Sequence, residues 1–140
     1  LTREGFVTEA SNSNVWFVIN GLLVTPGQGN LRGLTKMHIH RALKAAGIKS
    51  EESDIHVNEL HDATECFITS ATRDVMPCAT LRLEDGTCLE FPEGGGEVTR
   101  QTRDVFSAYV RAYVEQHQNE SLVCATTTVT RRTGQTMTRN

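Results

Sequence analysis

Asn14-Val15-Trp16-Phe17-Val18-Ile19-Asn20-Gly21-Leu22-Leu23-Val24-Thr25 is the stretch on which the fold of this chain turns. Two apolar runs, the first rich in β-branched and aromatic residues, flank Asn20-Gly21. A type I′ turn needs positive φ at both central positions, which Asn and Gly tolerate best, so the stretch reads as a β-hairpin. Upstream, Gly5-Phe6-Val7-Thr8-Glu9-Ala10 reads as a short strand that ends in the polar turn Ser11-Asn12-Ser13. Downstream, Pro26-Gly27-Gln28-Gly29-Asn30 has the chemistry of an exposed loop.

Beyond that loop the periodicity becomes helical. Residues 35–46 read as a helix with Thr35 as cap, Gly47 as stop and an apolar side of Leu34, Ile39, Leu43 and Ala46. A short helix over 57–63, a buried strand over 65–70, a strand over 75–83 interrupted by Pro77 and a return strand over 88–91 follow. After Gly94-Gly95-Gly96, residues 99–117 form the longest periodic segment. Val105, Phe106, Tyr109, Val110, Tyr113 and Val114 fall at helical spacing there, and this stripe is expected to pack on the sheet. From 118 to 140 the chain is Thr- and Arg-rich with few large apolar residues, and a disordered tail is expected. The whole reads as one mixed α/β domain over 1–117, followed by that tail.

Composition bounds the function. The 140 residues are 38% hydrophobic and 22% charged, with 11 Gly and 3 Pro, which excludes collagen-like, coiled-coil and wholly disordered chains. No apolar run approaches the ~20 residues of a membrane span, and the first residues lack the shape of a signal peptide. A net charge of -3 recommends neither nucleic acid nor an acidic membrane as partner. Cys66, Cys78, Cys88 and Cys124 form no CxxC pair, and reduced thiols in a cytosol-like or organelle compartment are expected.

Three constellations could carry chemistry. Gly33-Leu34-Thr35 opens a helix after a Gly-rich loop, where unpaired N–H groups and the macrodipole favour a phosphate. Thr69-Ser70-Ala71-Thr72 is small and hydroxyl-bearing at the end of a buried strand, where backbone donors can converge on an anion. Glu9 and Asn14 flank a turn of small residues. Each taken singly has a plainer reading: a capped helix, a polar turn, a carboxylate that caps its turn. His38 and His40, at i and i+2 on a helix, point to different faces and make a poor metal pair. His56 and His61 have no partner at zinc spacing and are expected in solvent, so no metal site is assigned. Arg100, Arg103, Asp104 and Glu97 read as a solvated helix start.

Taken together and in order, Glu9-Ala10-Ser11-Asn12-Ser13-Asn14-Val15-Trp16-Phe17, Leu23-Val24-Thr25-Pro26 and Leu31-Arg32-Gly33-Leu34-Thr35-Lys36 resemble the signature of the class IV aminotransferases. The match continues through Glu65-Cys66-Phe67-Ile68-Thr69-Ser70-Ala71-Thr72 with Pro77, and covers roughly residues 4–117. The family comprises pyridoxal-phosphate enzymes of fold type IV, among them branched-chain and D-amino-acid aminotransferases and aminodeoxychorismate lyase. The resemblance implies the larger, C-terminal pseudo-barrel domain of such an enzyme. It implies pyridoxal 5′-phosphate as cofactor, with Glu9 at the pyridine nitrogen, Gly33, Leu34 and Thr35 at the phosphate, and Ser70 and Ala71 closing its other side. Ala71 and Thr72 would receive the substrate carboxylate. The parent activity would transfer an amino group between an amino acid, of the branched-chain type, and a 2-oxo acid, in a homodimer.

Two departures accompany the resemblance. Ala71 stands where the family often has Thr. The Schiff-base lysine of the family precedes the Glu9 position by a few dozen residues, whereas none of the eight residues before Glu9 is Lys. Lys36 falls at a basic position of the signature, not at the nucleophile. The chain, which begins without Met, thus reads as a domain lacking its catalytic lysine. It is expected to be inactive alone and to expose an apolar surface that favours dimerisation or limits solubility. The rival readings are a non-catalytic fragment or pseudoenzyme that binds a phosphate ligand or a partner chain, and a lyase of the aminodeoxychorismate type.

Overall fold

The computed structural model describes residues 1–118. Its centre is the expected hairpin: β1 (Asn14–Ile19) and β2 (Leu22–Pro26) pair antiparallel, with Phe17 opposite Val24. Asn20 and Gly21 take φ of 51° and 76°, the left-handed values that the turn demands. β2 leads through a loop into α1 (Leu34–Ala45), which returns the chain to β3 (Ser50–Ser53), parallel to β2. A 3₁₀ turn (Val57–Asp62) then feeds β4 (Ala63–Ser70), which pairs antiparallel with β1 on one side and with β5 (Asp74–Pro77) on the other. The sheet order is β3-β2-β1-β4-β5. β6 (Thr80–Arg82) and β7 (Cys88–Glu90) form a separate two-stranded ribbon, and α2 (Glu97–His117) closes the described chain.

Strand alternation sorts the core into two layers. Trp16, Val18, Leu23, Phe67 and Val75 project to the face covered by α1 and α2, where they meet Ile39, Ala42, Leu43 and Phe106. Val15, Phe17, Val24 and Cys66 project to the other face, against Ile55, Leu60 and Phe91. The Trp16 indole donates to Thr69 Oγ1 at 3.0 Å, so the largest buried side chain also fixes β1 against β4.

Several expectations change. Residues 5–10 form no strand: Phe6 makes an isolated bridge with His56, and Ala10 with Ser13. Thr35 does not cap α1. The N-cap is Gly33, without a side-chain hydrogen bond. Leu34 is 73% exposed and Ala46 lies on the surface, because the buried side of α1 runs through Lys36, Ile39, Ala42 and Leu43. Gly47 does stop the helix, at φ 72°, with its N–H on the Lys44 carbonyl and the Ile48 N–H on that of Leu43. His56 is half-buried and caps the 3₁₀ turn, its Nδ1 accepting from the Asn58 N–H.

α2 packs on the core as far as Tyr109, with Val98, Val105 and Tyr109 half-buried against it. Thr99, Thr102 and Phe106 are buried, whereas Val110, Tyr113 and Val114 are exposed. A helix of 21 residues extends about 32 Å and outruns the layer beneath it. Cys66, Cys78 and Cys88 are free thiols, as expected, while Cys124 and the expected tail lie outside the described residues. Among the described residues, no helix is long and apolar enough to cross a membrane.

Candidate functional site

A cleft of about 360 Å³ opens at one end of β1 and β4. It is lined from residues 9–14, from Leu31 and residues 33–35, and from residues 69–71. Glu9, Gly33, Leu34, Thr35, Ser70 and Ala71, singled out from three distant parts of the sequence, all face it. Thr72 does not: it sits exposed in the turn after β4, its Oγ1 3.4 Å from Ser70 Oγ.

Glu9 and Asn14 meet at one residue, Leu31. The Leu31 N–H donates to Glu9 Oε2 at 2.9 Å, and Asn14 Nδ2 donates to the Leu31 carbonyl at 2.9 Å. This pair ties the segment entering α1 to the segment entering β1. Asn14 is buried, and its Oδ1 lies so close to Gly33 that a Cβ there would collide with it. Glycine at 33 is therefore a steric requirement of the cleft wall. Beyond it, the first turn of α1 has no side-chain cap and no acidic residue. Its N–H groups, with the positive end of the helix dipole, are left for whatever enters the cleft.

Behind that helix start lies a residue whose burial no local pattern announces. Lys36 is buried, donating from Nζ to the Pro26 carbonyl at 2.7 Å and to Asn30 Oδ1 at 3.3 Å, with Glu52 Oε1 at 3.4 Å. Burial lowers its pKa, and Glu52 opposes that shift. Asn30 in turn donates to the Pro26 and Gln28 carbonyls, so the β2–α1 loop is wound about one ammonium group. His40 completes the cluster: it packs on Trp16 at 4.8 Å between ring centroids, with Nδ1 2.9 Å from Ser50 Oγ and Nε2 3.4 Å from Glu52 Oε1. His38 points instead to Tyr109 Oη, 3.0 Å away, so the two histidines do face apart.

The opposite lip is joined by Arg73, whose Nη1 donates to Asn12 Oδ1 at 2.9 Å and reaches Ser13 Oγ at 3.5 Å. Away from the cleft, the start of α2 is closed by a second unforeseen residue, Glu65 of β4. Its buried carboxylate accepts from the Val98 N–H at 3.0 Å, the Thr99 N–H at 2.7 Å and Thr99 Oγ1 at 2.6 Å. Glu97, Arg100 and Asp104 are exposed, as expected of a solvated helix start, while Val98 and Thr99 turn inward onto Glu65. A carboxylate at an inward strand position was the available signal.

The sequence profile of the family described as amino-transferase class IV matches residues 1–81. A D-alanine aminotransferase of Bacillus licheniformis is 34% identical over 110 residues, which cover 77% of this chain and 36% of that protein. Among solved structures, an aminotransferase from Brucella abortus bound to the cofactor PLP aligns at TM-score 0.66 and 26% identity, over 76% of this chain and 36% of the other. The PLP-form of the branched-chain amino acid aminotransferase from Thermobaculum terrenum aligns at TM-score 0.64 and 28% identity, over 85% and 38%. The chain spans about a third of the length of the curated relatives it matches.

Proposed function

The chain belongs to the class IV aminotransferases, and from that premise we propose that it forms the phosphate- and pyridine-binding part of a pyridoxal 5′-phosphate enzyme. That enzyme moves an amino group between an amino acid, of the branched-chain type, and a 2-oxo acid. The observation that carries the reading is the start of α1, uncapped by any side chain and open to the cleft that Glu9 flanks.

The donor set fits the group. Leu34 and Thr35 would offer backbone N–H groups to the phosphate at the positive end of a helix. Gly33 keeps clear the cradle that a Cβ would fill. Ser70 and Ala71 face that end from the other wall. When bound, pyridoxal phosphate supplies an electron sink for charge developing at the substrate α-carbon. Glu9 would hold a proton on the pyridine nitrogen through a charge-assisted hydrogen bond, which keeps that sink effective. The backbone at Ala71, which lines the cleft, would receive the substrate carboxylate, whereas Thr72 stands outside the lining and is not assigned that role. Asn14, also in the cleft wall, would act by fixing Leu31 and the approach to Gly33. Lys36, Lys44 and Lys49 lie off the cleft and are assigned no covalent role. A second copy of the enzyme would cover apolar surface such as Leu34, Val110 and Tyr113, all exposed in this chain.

Calorimetric titration with pyridoxamine 5′-phosphate, which cannot form a Schiff base with a lysine, tests the site. One saturable event is expected, with pyridoxamine lacking the phosphate at least roughly tenfold weaker, and Gly33→Val should abolish it. Equal binding of the two compounds, or binding indifferent to Gly33→Val, would overturn the assignment.

A further inference from the structure

Outside the cleft, two thiols face each other across the sheet. β4 and β5 pair with Phe67 opposite Pro77 and Ile68 opposite Met76, so the register extended by one residue sets Cys66 opposite Cys78. The Cys78 N–H donates to the Cys66 carbonyl at 2.9 Å, which continues the ladder to that pair. Directly opposite residues project their side chains to the same face. Both cysteines belong to the apolar layer around Val15 and Phe17. Opposed, hydrogen-bonded positions of an antiparallel pair stand about 5.5 Å apart at Cα, inside the range of roughly 4.4–6.8 Å that disulfides span.

Access and reactivity differ between the two. Cys66 is buried and Cys78 half-buried, and both line a cavity of about 400 Å³ that also reaches Glu9. Hydrogen bonding to Cys66 pulls the Cys78 thiol down to about 7, while the same contact, with burial, keeps the proton on Cys66. The more accessible sulfur is therefore also the better nucleophile near neutral pH. Cys88, in contrast, is exposed on the ribbon, with its sulfur 4.0 Å from the Gly86 carbonyl.

We propose that Cys66 and Cys78 are an oxidisable dithiol, a modification site apart from the cofactor cleft, closed by exchange with a small disulfide of the glutathione type. The Cys78 thiolate attacks one sulfur of that disulfide and releases the first glutathione thiolate, which takes up the Cys66 proton. Cys66 then attacks Sγ of Cys78 and expels the second glutathione, which is protonated from solvent. The protein loses two hydrogens, and the small disulfide is reduced to two thiols. The bond would lock β4 to the segment between β5 and β6, beside the cavity wall that Glu9 shares.

The test treats the native 140-residue chain with oxidised glutathione, alkylates remaining thiols, and maps the peptides by mass spectrometry. The expected product links the Cys66 and Cys78 peptides, with Cys88 alkylated or carrying glutathione. Cys66→Ser should trap glutathione on Cys78. The same reaction in concentrated urea should scatter pairing among the four cysteines, a control that needs no variant. A native chain in which Cys66 is recovered alkylated, or in which pairing matches that in urea, would overturn the proposal. So would preferential trapping on Cys88 in the Cys66→Ser chain.

Discussion

Among the described residues, the two α-helices begin in opposite states. At the start of α2 the carboxylate of Glu65 takes two backbone N–H groups and the Thr99 hydroxyl. At the start of α1 no side chain caps and no acid stands in the first turn. Both N-caps are glycine, and for the same steric reason: a Cβ on Gly96 would strike the Glu65 carboxylate, and one on Gly33 would strike the Asn14 amide oxygen. The backbone solution is shared and the approaching group is not. A carboxylate neutralises the positive end of α2 and makes it part of the core. A neutral amide turned toward Leu31 leaves the end of α1 unneutralised, and that end lines a cleft. A helix start satisfied by the protein's own charge is a structural joint; one denied such a charge is available to an anion.

The largest expected effect breaks the closed terminus. Glu65→Ala strands two N–H groups and a hydroxyl in a buried setting, and each buried donor left unpaired costs about 1–3 kcal/mol. Urea denaturation should show a loss of roughly 3 kcal/mol or more, with Glu65→Gln milder because an oxygen remains to accept. A loss under about 1 kcal/mol would mean that water satisfies this terminus and that the contrast with α1 is smaller than the geometry implies. The next effect belongs to the open terminus and appears in binding. Gly33→Ala pushes a Cβ into the Asn14 amide, which displaces the wall that holds Leu31. Affinity for pyridoxamine 5′-phosphate should fall by roughly tenfold or more, or about 1.4 kcal/mol, while the denaturation midpoint moves less than in Glu65→Ala. If the two variants lose stability alike, α1's start is as structural as α2's.

Glu9→Gln sharpens the same comparison at lower cost to the fold. Glutamine still offers an oxygen to the Leu31 N–H, so stability should scarcely change. What disappears is the charge, and with it roughly half the strength of a hydrogen bond to a protonated pyridine nitrogen. Pyridoxamine 5′-phosphate should bind several-fold more weakly, by about 1 kcal/mol, while inorganic phosphate, which has no ring, should bind as before. Equal weakening of both ligands would move Glu9 from the ring to the loop it holds.

The sequence made the open terminus legible and hid the closed one. Gly33-Leu34-Thr35 could be read because a Gly-rich loop before a helix is a local pattern, and the hairpin at Asn20-Gly21 because its turn chemistry is local too. Glu65 could not be read in the same way. Its partners are 33 and 34 residues away, and nothing in a strand pattern says that one inward position will reach a helix start. Lys36 was seen as part of a signature but not as buried, since a lysine inside a domain depends on carbonyls gathered by a loop, and only the fold gathers Pro26 and Asn30. The strand expected over 5–10 failed for a related reason. Its β-branched and aromatic residues suit a sheet, but Gly5, Phe6 and Val7 meet residues 55–57 in only an isolated bridge, and Ala10 turns back onto Ser13. The stripe on α2 had the right period and too little sheet beneath it.

The smallest effect concerns the brace under the open terminus. His40 is packed on Trp16 and half withdrawn from water, and burial lowers its pKa below the usual 6.5. Glu52 works against that shift and Lys36 with it. The imidazole is thus favoured neutral in the folded chain, while the unfolded chain protonates it more readily. In the interval between the lowered folded value and 6.5 the unfolded state binds more protons, so stability rises with pH there. The contribution is complete above 6.5 and is lost as the pH falls from there through the lowered folded value. Between about pH 7.5 and about pH 5.5, the native chain should lose more stability than His40→Gln, whose side chain does not titrate. The two should converge in slope at higher pH. A smaller loss in the native chain than in His40→Gln would mean that attraction of the imidazolium to Glu52 outweighs burial. Protonation would then tighten the brace beneath α1 rather than loosen it.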